Sequence, residues 1–203
     1  MSNLNGTASS NTGRGGYRCM PRATIAHGRH AVRAVEPAHI EAIRQWRNAK
    51  MDVLRQSQPI SPEQQVAYYA REIWPTMYDT EPPNILLVYL EDDRPIGYGG
   101  LVHIDWLGKH AEVSFLLDPA LTTDGGLYRN HQLRFLALIQ ELAFDDLGFE
   151  YLTTETYAHR EAHIANLEAA GFVRIEVIPL AVQVNGVRTD AIMHRCNRPV
   201  AKE

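Results

Sequence analysis

The chain has 203 residues, of which 45% are apolar and 22% charged, a balance typical of a globular protein. This composition excludes collagen-like, coiled-coil and wholly disordered chains, and no stretch reaches the roughly 20 consecutive apolar residues of a membrane helix. Two cysteines, Cys19 and Cys196, lie far apart in the sequence and support neither a disulfide framework nor a thiolate zinc site. We therefore expect a single cytoplasmic domain with one hydrophobic core.

Charge is distributed unevenly between the first 28 residues and the rest of the chain. Residues 1–28 contain three arginines and no acid, and half of them are Gly, Ser, Asn or Thr, which predicts a flexible N-terminal tail. The remaining residues carry an excess of seven acidic side chains. Because an acidic surface repels phosphate groups, we expect neither a nucleic acid nor a membrane surface as partner.

Apolar periodicity and turn residues predict alternating helices and strands after the tail, and hence a mixed sheet covered by helices. Helices are expected at 37–48, 62–73, 128–147 and 160–170, and strands at 30–35, 85–90, 95–104, 110–117, 151–157, 172–178, 180–184 and 188–194. The boundary signals are Pro37, the Ser61–Gln64 capping box, the helix-ending Gly148 and Gly171, and the Asn185-Gly186 turn.

A series of short motifs follows these predicted elements along the chain. In order, they are Arg33 with Ile43–Asn48, Pro95–Tyr98, His103–Asp105, Ala111–Ser114, Ala143-Phe144, Leu147-Gly148, Leu167-Glu168, Gly171-Phe172 and Asp190. Their order and spacing over residues 31–194 resemble the GNAT superfamily of acyl-CoA-dependent N-acyltransferases. The resemblance is to the branch that includes ribosomal-protein Nα-acetyltransferases and nucleotide-amino-sugar N-acetyltransferases.

The resemblance implies an α+β fold, in which a central mixed and twisted sheet of about seven strands is flanked by four helices. The domain would span residues 29–197, and residues 198–203 would form a C-terminal tail. The implied activity is transfer of an acetyl group from acetyl-CoA, without a metal, to a primary amine of a small molecule, with a nucleotide-linked amino sugar as the leading acceptor. The alternatives are an Nα-acetyltransferase of a protein N-terminus and a non-catalytic binding protein of the same fold. A homodimer is a possible assembly.

The resemblance also implies where the donor binds. In the family, the pantetheine arm pairs with one of two separated strands, here at Ser114, Phe115, Leu116 and Leu117. A glycine-rich loop at the start of the long helix receives the pyrophosphate. Its three key positions correspond to Gly125, Tyr128 and Asn130, so two of the usual glycines are replaced. Gly125-Gly126 is predicted to form a shifted anion-binding nest, and Arg129 to add positive charge.

Glu112 is the candidate general base, because the resemblance places it where many relatives carry a carboxylate. Glu155 on the neighbouring strand is a weaker substitute. In the last helix, Arg160 and Leu167 stand where many relatives have an Asn and a general-acid Tyr. The proton donor is therefore open: another residue supplies it, or the thiolate leaves with little help because its pKa is already low.

Candidate acceptor-binding residues lie at the end of the first helix, at the tip of the central hairpin and on the last helix. They are Arg47, His103, Asp105 and His163, together with Glu155 on the strand next to Glu112. A guanidinium and a carboxylate suit a phosphate and an amine, respectively. Trp46 lies on the apolar stripe of its helix and is predicted to be a core residue. His159 and His163 share a helical face, but the sequence offers no third ligand, so we predict no metal site.

Overall fold

The computed structural model describes residues 16–54, 56–184 and 186–200. Eight strands within these ranges form one sheet in the order β1-β2-β3-β4-β5-β6-β8-β7. Of the neighbouring pairs described here, β5 and β6 are parallel, and the others are antiparallel. The strands are β1 Thr24–His27, β2 His30–Ala34, β3 Ile85–Glu91, β4 Arg94–Asp105, β5 His110–Leu117, β6 Tyr151–Tyr157, β7 Val173–Val184 and β8 Val187–Asn197.

In the part of the chain that the structure describes, four α-helices accompany the sheet, as the sequence predicts. They are α1 Ile40–Ala49, α2 Pro62–Tyr68, α3 Gly125–Glu141 and α4 Glu161–Ala169. The predicted capping box is confirmed, since the Ser61 hydroxyl accepts a hydrogen bond from the Gln64 amide at the start of α2. Both α2 and α3 continue into single π-helical turns, at Tyr69–Ile73 and Leu142–Asp146, which accounts for the longer helices expected from the sequence.

The central strand β3 is buried on both faces. Successive side chains of a strand point to opposite faces, and the residues of β3 accordingly divide between two apolar clusters. Tyr89 and its alternates pack in the cluster that includes Phe135 of α3 and Leu167 of α4. Val88 and its alternates pack with Ile43 of α1 and with Tyr69. The helices α1 and α2 therefore cover one face of the sheet, and α3 and α4 cover the other.

The prediction of a flexible tail is wrong for residues 16–28. The strand β1 pairs antiparallel with β2, and Ile25 within it is fully buried. Tyr17 is also buried, and its hydroxyl accepts a hydrogen bond from the Leu86 amide. This segment has no apolar period of its own, but the edge of β2 satisfies its backbone, which adds a strand that the sequence did not predict. Residues 1–15 of the predicted tail lie outside the described residues.

The C-terminal strands form one long hairpin. The sequence predicts a break near Ile178, whereas β7 continues past it with register shifts against β8. Leu180 takes a positive φ of 51°, and its amide donates to the Asp190 carboxylate, which replaces a regular ladder bond there. In the predicted Asn185-Gly186 turn, Asn185 lies outside the described residues, as do residues 201–203 of the predicted C-terminal tail.

Candidate active site

The sheet opens between its two parallel strands. β5 and β6 pair only at His110–Glu112 with Tyr151–Thr153. β5 continues to Leu117 along β4, while β6 continues to Tyr157 along β8, so the strands diverge beyond Glu112. The cleft expected between these strands is thereby confirmed. Because the two strands part here, the edge of Val113–Leu117 that is turned away from β4 faces the cleft, not a neighbouring strand.

Two cavities occupy the cleft. The first, the β5–β6 cavity, has a volume of about 380 Å³ and lies between these strands, β4 and the end of α1. The second, the α3–α4 cavity, has a volume of about 340 Å³ and lies between β5 and the N-terminal turns of α3 and α4. Both cavities are lined by Val53, Phe115, Arg160 and His163, so the two spaces adjoin along these side chains.

The predicted donor-binding residues have three different surroundings. Those that line the α3–α4 cavity are Phe115, Leu116, Leu117, Gly125 and Tyr128. Ser114 lines the β5–β6 cavity instead. The other predicted residues are engaged within the protein: Arg129 donates to the side-chain oxygen of Asn166 on α4, and the side chain of Asn130 accepts from Arg134. Arg129 therefore joins α3 to α4.

The N-terminus of α3 is capped by the protein's own carboxylate. Asp124 Oδ1 accepts hydrogen bonds from the amides of Gly126 and Leu127, at 2.8 and 3.0 Å. Amides at this end of a helix are the ones that bind an anionic ligand. The anion nest expected at Gly125-Gly126 is thus filled by Asp124, a residue that the motif comparison passed over although an Asp before a helix is a common cap.

Glu112 lies where the two strands part, and it has a histidine beside it. His103 Nδ1 lies 3.0 Å from Glu112 Oε2. The register of β4 against β5 shifts between Val102 and Asp105, and His103 within this bulge has a φ of +50°. Bulges redirect side chains, and left-handed backbone is uncommon outside glycine. The local distortion of β4 therefore accompanies a close imidazole–carboxylate pair at the cavity.

The remaining predicted acceptor residues have different surroundings. Glu155 and Arg47 line the β5–β6 cavity, but the Arg47 guanidinium donates to the Tyr98 hydroxyl and to Gln56 Oε1. Asp105 does not line this cavity, because its carboxylate accepts from the Gly108 amide and closes the β4–β5 turn. Trp46 is buried in the cluster of α1 and α2, which confirms the prediction of a core residue.

His163 forms the centre of a buried polar group. Its Nδ1 lies 2.6 Å from the Tyr128 hydroxyl and 3.2 Å from Arg160 Nη2. Burial, with a further contribution from the Arg160 charge, lowers the pKa of His163 well below its ordinary value, so the imidazole is neutral at pH 7. Burial likewise raises the pKa of Tyr128, which keeps its hydroxyl protonated. Tyr128 was predicted only as a main-chain position, so sequence reasoning missed this contact between two helices.

Two threonines of β6 were also missed. Thr154 and Thr156 are 4% and 1% exposed and line the β5–β6 cavity. Neither hydroxyl has a hydrogen-bond partner among the described residues. Buried polar atoms are normally paired, so these two hydroxyls are exceptions to the usual pattern.

The described residues contain no group of three or more His, Cys, Asp or Glu side chains placed to hold a metal ion. Within the same ranges, none of the helices combines the length and the apolar character that crossing a bilayer requires.

Comparison with known proteins agrees with this architecture. The structure is similar to that of the spermidine N-acetyltransferase of Vibrio cholerae in complex with CoA and spermine, with a TM-score of 0.72, 17% identity, and coverage of 85% of this chain and 97% of that one. It is also similar to a protein assigned as a phosphinothricin N-acetyltransferase, with a TM-score of 0.64, 18% identity, and coverage of 84% and 99%. At such identities the likeness concerns the fold.

A family model supplies the assignment. No curated protein matches the chain significantly. The model of the GNAT acetyltransferase domain, however, matches residues 32–193, which is most of the chain. The chain therefore belongs to the GNAT family of acetyltransferases, acyl-CoA-dependent enzymes that take the acetyl group from acetyl-CoA and transfer it to an amine.

Proposed function

We propose that this enzyme acetylates the primary amine of a small molecule by direct attack of the amine on the thioester. The observation that carries the proposal is the position of Glu112, the last residue of β5 that pairs with β6, at the point where these two strands separate. This carboxylate lines the β5–β6 cavity, which adjoins the α3–α4 cavity. An amine in the first cavity and a donor in the second would therefore meet beside Glu112.

The chain's own groups then have separate tasks. Glu112 accepts the proton that the ammonium group must lose before its nitrogen attacks, directly or through water. His103 holds this carboxylate through the 3.0 Å contact. Main-chain amides of β5 near Ser114–Leu116, which lie beyond the last β6 pairing, are available to the carbonyl oxygen as it gains negative charge. Bound acetyl-CoA supplies the activated acyl group.

The charges of the cavity favour an acceptor without phosphate. The guanidinium groups that line the β5–β6 cavity are those of Arg47 and Arg160, and each already donates to neighbours, Arg47 to Tyr98 and Arg160 to Tyr128. Two carboxylates, of Glu112 and Glu155, line the same space. This balance suits a small cationic amine, the kind of acceptor named for the Vibrio cholerae enzyme. The nucleotide-linked amino sugar favoured by the sequence, and the branch to which it belongs, remain a second prediction.

Heat-shift measurements followed by an amine panel test the proposal. Acetyl-CoA and CoA should each raise the thermal midpoint, because a ligand that binds only the folded state stabilises it. Release of free thiol should then follow addition of spermidine, phosphinothricin, a nucleotide-linked amino sugar or a peptide N-terminus, and the fastest identifies the acceptor class. Stabilisation by CoA without thiol release from any amine would favour the non-catalytic alternative. Absence of stabilisation would remove the donor site.

A further inference from the structure

The buried group around His163 lies between the two cavities of the cleft. Both His163 and Arg160 line each cavity, and Tyr128 lines the α3–α4 cavity. In the proposed reaction, the thioester must lie where donor and amine meet, and the sulfur leaves from there. We propose that His163, oriented by Tyr128 and Arg160, stabilises the departing thiolate of CoA through its Nε2–H group. This inference rests on the proposed function.

The hydrogen-bond partners fix which nitrogen of the imidazole carries the proton. A guanidinium can only donate, so His163 Nδ1, at 3.2 Å from Arg160 Nη2, is the accepting nitrogen. Tyr128, at 2.6 Å, then donates its hydroxyl proton to the same atom. Because the ring is neutral, its single proton resides on Nε2. Nε2–H is therefore the donor that His163 retains for a ligand.

The surrounding contacts hold this arrangement in place. Asn166 of α4 donates to the Gln132 side chain of α3 at 2.9 Å and accepts from Arg129 at 2.8 Å. Gln132 in turn donates to the main-chain oxygen of His163. His163 thus belongs to a helix, α4, that is joined to α3 by several hydrogen bonds, which limit the reorientation of its imidazole. A fixed donor in a site with little water stabilises developing charge more than a mobile donor does.

The ammonium group first loses one proton to Glu112, which returns it to solvent. The amine nitrogen then forms a bond to the acyl carbon, and a second proton passes from this nitrogen to Glu112. The carbon–sulfur bond breaks, and its electron pair goes to sulfur. Nε2–H of His163 donates a hydrogen bond to that sulfur, and the positive charge of Arg160, next to the ring, favours the anion. The second proton also returns to solvent, so the products are the amide, the thiolate and two protons. His163 itself neither gains nor loses a proton in this step.

The acidity of bound CoA tests this assignment independently of turnover. The pKa of the CoA thiol in the complex is measured from the ultraviolet absorbance of the thiolate during a pH titration. With the wild-type enzyme, we expect a value about one unit below that of free CoA, which is roughly a tenfold larger thiolate fraction at neutral pH. Tyr128→Phe removes the hydroxyl that orients the ring, and it should return the value toward that of free CoA.

Two substitutions of His163 separate its nitrogens. A glutamine amide reaches about as far as Nε2, whereas an asparagine amide reaches only as far as Nδ1. His163→Gln should therefore keep part of the lowered thiol pKa and part of the turnover, and His163→Asn should lose both. The matched control is His27→Gln, which removes an exposed imidazole on the edge strand β1 that contacts Glu141 of α3, and it should change neither.

The inference is overturned if the thiol pKa in the Tyr128 and His163 variants equals the wild-type value. If a His163 variant does not fold, Tyr128→Phe alone decides the question, because it conserves the ring. Failure of the proposed function looks different: CoA would not bind the wild-type enzyme, or no amine would release thiol from acetyl-CoA.

Discussion

Two histidines line the same cavity but differ in exposure and in the charge of their neighbours. The side chain of His103, on β4, is 66% exposed and lies beside the Glu112 carboxylate. His163, on α4, is 8% exposed and lies beside the Arg160 guanidinium and the Tyr128 hydroxyl. Burial next to a cation keeps the His163 imidazole neutral. The strand side of the cleft therefore presents an exposed imidazole beside a carboxylate, and the helix side presents a neutral hydrogen-bond donor.

Removing the carboxylate of the strand side should have the largest effect. Glu112→Gln keeps the size of the side chain but cannot accept a proton, so kcat should fall roughly 10²- to 10⁴-fold. The stabilisation of the enzyme by CoA should be unchanged, because the donor binds along other residues. Steady-state kinetics with the best amine, together with heat-shift curves, check both statements. Full turnover of this variant would exclude Glu112 from the reaction.

The neutral His163 of the helix side should make the stability of the protein depend on pH. Burial lowers the pKa of His163, and also those of His30, His39, His131 and His194. Such groups take up a proton more readily in the unfolded chain, so stability should decrease as pH falls below about 6.5. Each contributes up to about 1.4 kcal/mol per pH unit within its window. The decrease in the thermal midpoint between pH 7 and pH 5 should be shallower in His163→Gln than in the wild type.

The matched control for that measurement is again His27→Gln, because it removes a histidine that is not buried. If the thermal midpoint of both variants changed with pH as it does in the wild type, His163 would not be neutral in the folded protein. The contrast between the two sides of the cleft would then be wrong.

Asp124 offers a test of the helix that carries Tyr128. Asp124→Ala removes the cap of α3, which should cost about 1 kcal/mol of stability. The same change frees the amides of Gly126 and Leu127 for the pyrophosphate, so the affinity for CoA should rise. Chemical denaturation and calorimetric titration measure the two effects. Ser61→Ala, which removes the cap of α2, should lower stability without changing CoA affinity.

The smallest effect on stability is expected for His103. A polar contact of an exposed side chain contributes less than about 1 kcal/mol, so His103→Gln should leave the free energy of unfolding nearly unchanged. Turnover should still fall, but less than in Glu112→Gln, because the carboxylate remains. A large loss of stability would show that the bulge of β4 depends on this pair, and that His103 has a structural role.

The fold was largely readable from the sequence because its signals are local. The Ser61–Gln64 capping box, the periodicity of α3 and the alternation within β3–β5 each depend on neighbours in the chain. The strand β1 was not readable, since its backbone is satisfied by β2 and its Ile25 is buried by the completed core. The π-helical turns that extend α2 and α3 also lack a sequence signal that we recognise.

Several predicted site residues lie close together in the structure, but their contacts were not predicted. Glu112, His103 and His163 were predicted, and they line one cavity. Asp105 was misplaced, because a carboxylate near a hairpin tip serves a turn as readily as a ligand. The contact of Tyr128 with His163 joins residues 35 positions apart on two helices, and no spacing rule connects them. Tertiary packing therefore supplies the chemistry that a motif comparison leaves open.

The early end of pairing between β5 and β6 has a mechanical consequence. The two halves of the sheet are held together by three residue pairs at one corner and by the contact of α3 with α4. A molecule laid along Val113–Leu117 would take the place of an absent strand, and would bridge these halves from within. The bound donor would then stabilise the contact between the two halves of the sheet during each catalytic cycle. The release of free CoA would remove this stabilisation.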